Sequence, residues 1–325
     1  MGLESSGRRI RMGKHAVLEI ENKCNQLCVF CSVDKARMRG ITTEEIKKEI
    51  DALVSGGVGS LTVTGGEPTV NKELCDILKY TKKAGVAKIT LQTNGILLSD
   101  KEFLDKILSA SSDIDFLVSF HSADPEIYER ITGVKGQYKL AIEALKNVHE
   151  RCGPRLSIAI VINSLNYKHL KEEVKFLHEN FPNIEFFNFI FLDPVNEAKK
   201  NSWIAVQMYL VERYLYNALG YIKENKLKAV VDRLPLCYLR GFEEYSANTM
   251  EILQDSKVAY SLLYKEKIED SNYRHTFTEA CEKCHLKSIC GGLPQNYTDM
   301  FGNKELYPVF DDVEKVIKKV KEYGK

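Results

Sequence analysis

Residues 15–31 read HAVLEIENKCNQLCVFC. The run Ala16–Ile20 has the apolar, partly β-branched character of a strand, and the chain then enters a loop with thiols at Cys24, Cys28 and Cys31. Working outward, further strand candidates lie at Ser60–Thr64, Ile89–Thr93, Phe116–Phe120, Ser157–Ile162 and Glu185–Phe191. Amphipathic helical stretches such as Thr43–Leu53 and Tyr138–His149 stand between them. Six βα units predict an α/β chain built as a partial (β/α)6 TIM-like barrel, with its chemistry at the carboxyl ends of the strands.

The 325 residues suffice for about two domains. With 44% hydrophobic and 28% charged residues, the chain has the makeup of a globular protein. Lys and Arg number 46 against 45 Asp and Glu, a net charge of +1, so no global field draws it to nucleic acid or an anionic membrane. The opening residues lack the apolar core of a signal peptide, and no stretch has the length of a membrane span, so a cytoplasmic location is expected. Gly2 and Ser6 fit a loose myristoylation pattern that is too short to carry weight. Nine cysteines is an odd number for a disulfide framework, and in a reducing compartment clustered thiols point to metal.

The spacing C-x3-C-x2-C places three thiols within eight residues, which can surround one inorganic cluster or ion. A four-iron cluster on three cysteines keeps one iron without a protein ligand, an open position for a substrate or cofactor. A zinc site completed by a distant residue and three structural cysteines are the alternatives. After the second strand stands Thr64-Gly65-Gly66-Glu67-Pro68-Thr69. Two glycines allow the backbone to approach a ligand closely, and a glutamate at a strand end offers a charge-assisted acceptor.

Together these motifs resemble the radical S-adenosylmethionine (radical SAM) superfamily, whose hallmark is this cysteine spacing with an aromatic, here Phe30, before the last cysteine. The resemblance covers residues 14–195. It implies a [4Fe-4S] cluster on Cys24, Cys28 and Cys31, with the SAM ammonium received at Gly65, Gly66 and Glu67. It also implies polar groups near the ribose and carboxylate at Asn94, Ser119 and His121, and contacts to ribose and adenine at Asn163 and the backbone around Phe191. The chemistry implied is reductive cleavage of SAM to a 5′-deoxyadenosyl radical that takes hydrogen from a substrate, with an electron donor such as flavodoxin or ferredoxin.

Beyond Pro194 the pattern changes, and residues 196–325 are expected to form a cysteine-rich α+β extension. A long helix is expected over Ser202–Glu224, with Trp203 and Tyr209 placed to cap the cavity. The segment from about 228 to 308 carries Cys237 and the run Cys281, Cys284, Cys290, spaced C-x2-C-x5-C. Four cysteines followed by Gly291-Gly292 suit a second four-iron cluster, with structural zinc as the rival. Their position resembles the twitch or SPASM auxiliary-cluster tails of radical SAM enzymes, with room for one cluster. If Cys237 is the fourth ligand the cluster is closed and carries electrons; if not, its open iron could hold substrate. His285 is an alternative ligand, and Cys75 and Cys152 are read as structural. The closing helix Asp311–Tyr323 is expected to expose its basic run, and the tail to pack on the barrel.

Three functions follow as expectations: radical SAM chemistry on a small molecule or cofactor precursor, the same chemistry on a peptide, or a zinc-binding adaptor without catalysis. About 15 residues before the first strand leave no room for a leader-peptide recognition domain, which favours the small molecule.

Overall fold

The computed structural model describes residues 14–33, 40–254, 257–261, 266–268 and 275–323. The myristoylation match at Gly2 lies outside them. The elements run β1 (Lys14–Glu21), α1 (Thr43–Ser55), β2 (Val58–Gly65), α2 (Leu74–Lys83), β3 (Lys88–Thr93), α3 (Lys101–Ala110), β4 (Asp115–Ser119), α4 (Pro125–Thr132), α5 (Tyr138–Cys152), β5 (Leu156–Ile162), α6 (Leu170–Asn180) and β6 (Phe187–Phe191). They continue with α7 (Asn196–Lys200), α8 (Met208–Glu224), β7 (Ala229–Asp232), α9 (Ala247–Gln254), β8 (Lys257–Ser261), β9 (Glu266–Ile268), β10 (His275–Thr276), α10 (Glu279–Glu282), β11 (Leu293–Pro294), α11 (Gln295–Phe301) and α12 (Val313–Tyr323).

All six expected strands are present, and they form one sheet in the order β7-β6-β5-β4-β3-β2-β1-β8-β9. Strands β1 to β7 are parallel and curve into a half-barrel of α/β type, a partial TIM barrel. The pairing β1–β2 sets Ala16 opposite Leu61 and Leu18 opposite Val63, so the apolar residues of neighbouring strands meet in one layer. Strand β5, LSIAIVI, is apolar on nearly every residue because helices or barrel core cover both its faces. Helix α1 starts in a capping box: the Glu45 N–H donates to Thr42 Oγ1, and the Thr42 N–H donates to the Glu45 carboxylate. Its Ile46, Ile50 and Leu53 face the core. Among the described residues no helix is long and apolar enough to cross a membrane.

The extension departs from expectation in three ways. First, it contributes strands to the main sheet: β7 extends it beyond β6, and β8 pairs in parallel with β1 at the other side. Second, the long helix begins only at Met208, after a short 3-10 turn at Ser202–Ile204 and an extended stretch. The Met208 N–H donates to the Tyr297 hydroxyl at 3.0 Å, so a distant side chain fixes where this helix starts. Third, the basic run of α12 is only partly solvated. Lys319 lies 2.8 Å from the Glu243 carboxylate and 2.6 Å from that of Glu244, and both acids are buried. The lysine holds the Glu243 carboxyl below its ordinary range against the upward push of burial. Replacing Lys319 by methionine leaves the buried Glu243 without its cation and Glu244 with Lys223 only, at 3.5 Å, so thermal melting should show a loss of about 2 kcal/mol, the lysine's partial exposure tempering the larger cost of a fully buried pair. An unchanged melting temperature would mean that the ion pairs add nothing to the docking of α12 through Val316, Val320 and Tyr323.

Candidate active site

The carboxyl ends of β1 to β7 and the loops that follow them deliver side chains to one cleft of about 230 Å³. The loop after β1 contributes Cys24, Gln26, Cys28, Phe30 and Cys31, and β2 contributes Thr64, Gly65, Gly66 and Glu67. Strand β3 adds Gln92, Thr93 and Asn94, and β4 adds Ser119 and His121. Ala159 and Val161 come from β5, Ile190, Leu192 and Asp193 from the end of β6, and Arg233 from the end of β7.

The cysteine loop is held from several sides by its own backbone. The Leu27 and Val29 N–H groups donate to the carbonyls of Thr132 and Ile131 at the end of α4. The Asn201 amide donates to the Val29 carbonyl, and the Glu197 N–H to that of Cys31. Gln26, buried between the first two cysteines, donates to Tyr128 Oη at 3.2 Å and to Gln137 Oε1 at 3.1 Å. Gly133, at φ +71°, lies so close to the Leu27 carbonyl that a Cβ there would collide with it. Cys24 is exposed, and Cys28 and Cys31 are half-buried. The Gln26 N–H lies 3.4 Å from Cys24 Sγ, a donor of the kind that tunes cluster sulfur.

The glycines of the second motif also pack against the chain leading into the cysteine loop. The Gly66 N–H donates to the Glu21 carbonyl at 2.7 Å, and the Glu67 N–H to the Lys23 carbonyl at 2.8 Å. A Cβ on Gly66 would stand 2.5 Å from the Lys23 carbonyl oxygen, and one on Gly65 would strike that of Glu21. Gly65 and Gly66 therefore let the β2 loop lie flush against the chain leading into Cys24.

Glu67 is 1% exposed, and its carboxylate is fully engaged within the protein. Oε1 accepts from the Thr69 N–H at 2.9 Å and from the Thr69 and Thr93 hydroxyls at 2.6 Å each, while Oε2 accepts from the Asn94 N–H at 2.6 Å. Burial pushes its carboxyl upward, and these donors act in the opposite direction. Asn94, so placed, donates from Nδ2 to Asn25 Oδ1 at 2.6 Å and lies 3.8 Å from Cys24 Sγ. Glu67 thus ties the second and third strand ends to the cysteine loop.

His121 is buried, with its ring edge-on to Phe30 at 5.0 Å. Burial lowers its pKa to about 4, so the imidazole is neutral at physiological pH. Its Nδ1 accepts the Val161 N–H at 3.3 Å, so the proton sits on Nε2. Behind Phe30 an apolar group of Leu192, Ala198 and Ile204 seals the cleft wall.

The side chains of Asn163 and Phe191 are not among those lining the cleft. Asn163 closes a turn, its Oδ1 accepting the Leu165 N–H and its Nδ2 donating to the Val161 carbonyl. Strand alternation turns Phe191 onto Tyr297 at 5.7 Å, while its neighbours Ile190 and Leu192 line the cleft. Trp203 and Tyr209 do not line it either; both are half exposed on the surface. Gln26, Gln92, Asp193 and Arg233 were not singled out from sequence, and a polar residue at a strand end is the one signal that could have found the last three.

A second, small chamber of about 20 Å³ gathers Cys237, Cys281, Cys284 and Cys290. Cys290 Sγ accepts from the Leu236 and Gly292 N–H groups, and Cys284 Sγ from the Val309 N–H, all at 3.4 Å. Burial pushes the Cys237 thiol up to about 12, so it ionises only when a cation compensates the charge. His285 stacks edge-on against Phe310 and is not among the residues lining this chamber. Among the described residues no three His, Cys, Asp or Glu are gathered tightly enough to grip a single metal ion. At both sites the thiols have backbone N–H groups aimed at sulfur, the chemistry that suits an iron–sulfur cluster.

Residues 18–177 match the Radical SAM superfamily model. The cleft and the match agree: the chain carries a radical SAM domain and is a radical SAM enzyme. That family works with a [4Fe-4S] cluster and SAM. Among curated relatives, the probable GTP 3′,8-cyclase of Methanocaldococcus jannaschii is 27% identical over 243 residues, 73% of this chain and 78% of that protein. The probable GTP 3′,8-cyclase of Sulfolobus acidocaldarius is 29% identical over 60% of this chain and 61% of its own length. Mycofactocin maturase MftC of Mycolicibacterium smegmatis is 29% identical over 47% of this chain and 39% of its own. In fold, the chain is similar to Streptococcus suis SuiB bound to S-adenosylmethionine, with a TM-score of 0.63 at 18% identity over 91% of this chain and 76% of that one. It is equally similar to anSMEcpe with bound AdoMet and a Cp18Cys peptide, with a TM-score of 0.63 at 16% identity over 96% and 97% of the two chains.

Proposed function

We propose that residues 14–195 bind a [4Fe-4S] cluster through Cys24, Cys28 and Cys31 and hold SAM in the adjoining cleft, and that residues 196–325 carry an auxiliary [4Fe-4S] cluster on Cys237, Cys281, Cys284 and Cys290. The observation that carries this reading is the single cleft into which the three thiols, the Gly65–Glu67 loop, Asn94, Ser119 and His121 converge. When bound, the cluster supplies the electron that cleaves SAM to methionine and a 5′-deoxyadenosyl radical, which takes hydrogen from the substrate. The chain orients and shields: Glu67 fixes the loop that faces the ammonium, neutral His121 offers an Nε2–H donor, and Phe30, Val161, Ile190 and Leu192 exclude water from the reacting centre.

A small-molecule substrate, a nucleotide or other cofactor precursor, is supported by the relatives named GTP 3′,8-cyclase. A peptide substrate is supported by the maturase relative and by Cys237: with four cysteines about one chamber, the auxiliary cluster has no open iron for substrate and serves electron transfer. The radical chemistry needs a one-electron donor such as flavodoxin or ferredoxin, and its unprotected thiols suit the cytoplasm.

Anaerobic reconstitution followed by iron, sulfide and zinc analysis tests the two-cluster reading. About eight irons per chain are expected, with 5′-deoxyadenosine formed on reduction. Alanine at Cys237 should open one iron of the auxiliary cluster and change its electron paramagnetic resonance signal. A zinc ion with about four irons would return the second site to a structural role.

A further inference from the structure

The SAM-directed residues crowd onto the ends of β1 to β4, while the far side of the cleft has a different character. Its floor is apolar, formed by Ala159, Val161, Ile190 and Leu192, and it carries two charged groups, Asp193 and Arg233. Among the described residues that line the cleft, Arg233 is the one with a cationic side chain. Its backbone is in the left-handed region, at φ +62°. Three other non-glycine residues share a positive φ, namely Asn183, Asn196 and Lys226, and none of them lines the cleft. An arginine is held in so unfavoured a conformation only where its surroundings fix it. Here the Arg233 N–H donates to Asn248 Oδ1 at 3.0 Å, and Nε lies 3.6 Å from the Asp232 carboxylate.

We propose that Arg233 anchors an oxyanion of the substrate, a carboxylate or a phosphate, while the β5 and β6 floor packs the substrate's carbon skeleton. A guanidinium in a partly enclosed cleft presents a planar fork of donors that matches either oxyanion in two-point contact. The position divides the cleft: SAM on the cysteine side, the substrate's charged end on the β7 side, and the bond to be attacked between them. Asp193, buried and accepting from the Asn296 amide at 3.2 Å, sets a negative charge on the same wall and favours a substrate with a donor near its oxyanion. The inference rests on the cleft being the SAM site proposed above.

The test uses the wild-type reconstituted holoenzyme and phenylglyoxal, which modifies accessible arginines, with labelling at Arg233 followed by peptide mass spectrometry. Phosphate or acetate, compared with chloride at equal ionic strength and with SAM present throughout, is expected to slow labelling at Arg233 roughly fivefold. The better protector of the two identifies the substrate's oxyanion as phosphate or carboxylate. Equal labelling in phosphate, acetate and chloride, or no labelling under any condition, would overturn the proposal. A further chloride arm without SAM is run, and faster labelling there than in chloride with SAM would also overturn the proposal, because Arg233 would then serve the SAM carboxylate. A parallel equilibrium measurement of SAM binding keeps the cases distinct: its failure would count against the cleft as the SAM site and not against Arg233 alone.

Discussion

Alanine at Cys24, Cys28 and Cys31 together is expected to abolish 5′-deoxyadenosine formation and to lower the iron content from about eight to about four per chain. The three thiols are the only cysteines lining the β1-side cleft, so no neighbouring sulfur can replace them. The loop itself should survive. Its anchors are backbone bonds from Leu27 and Val29 to the end of α4 and the buried Gln26 side chain, none of which involves a cysteine sulfur as an essential partner. The melting temperature of the protein without iron should therefore change little, separating loss of chemistry from loss of fold. Loss of all iron in the triple variant would mean that the four cysteines of the second chamber do not hold a cluster, and the electron-transfer role proposed for the extension would go with it.

The reasons for success and failure of the sequence reading are local against non-local. Ala16–Ile20 and Ser157–Ile162 read as strands because each is an apolar run long enough to declare itself, and each became part of the half-barrel. The outer strands β7 and β8 did not declare themselves: AVVD and KVAYS are short, and they pair with β6 and, from the C-terminal extension, with β1. The cysteine spacing was legible because a cluster constrains sequence distance directly. The close approach of Gly65 and Gly66 to the Glu21–Lys23 backbone was not legible, because glycine reports close approach without saying to what. Likewise Lys319 read as one charge in a solvated run, since nothing near it in sequence reveals Glu243 and Glu244. Asn163 was named as a strand-end residue and Phe191 for the backbone around it, and a strand end alone does not tell which side chains face the cleft there. A one-residue alternation decides which side chain meets the cleft, and there Val161, Ile190 and Leu192 have that place.

Glu67 offers the second large effect, and two substitutions separate its possible duties. If its carboxylate served only as an acceptor for the SAM ammonium, glutamine would weaken SAM binding and leave the free protein as stable as before. The geometry predicts otherwise. Alanine strands four donors in a buried site, the Thr69 and Asn94 N–H groups and the hydroxyls of Thr69 and Thr93, and should cost about 3 kcal/mol or more. Glutamine keeps the shape but must set an NH₂ group against donors on one side. With the NH₂ in the Oε1 place the two hydroxyls can rotate to accept but the Thr69 backbone N–H cannot, and with it in the Oε2 place the Asn94 backbone N–H loses its acceptor, so either orientation strands a backbone donor. Both variants should therefore melt earlier than wild type, alanine more so, and both should lose SAM affinity, because a displaced Asn94 no longer braces Asn25 beside Cys24. Calorimetry on the free protein with SAM titration on the reconstituted one reads the two consequences separately, and a glutamine variant of undiminished melting temperature would reduce Glu67 from the brace between three strand ends to a ligand contact.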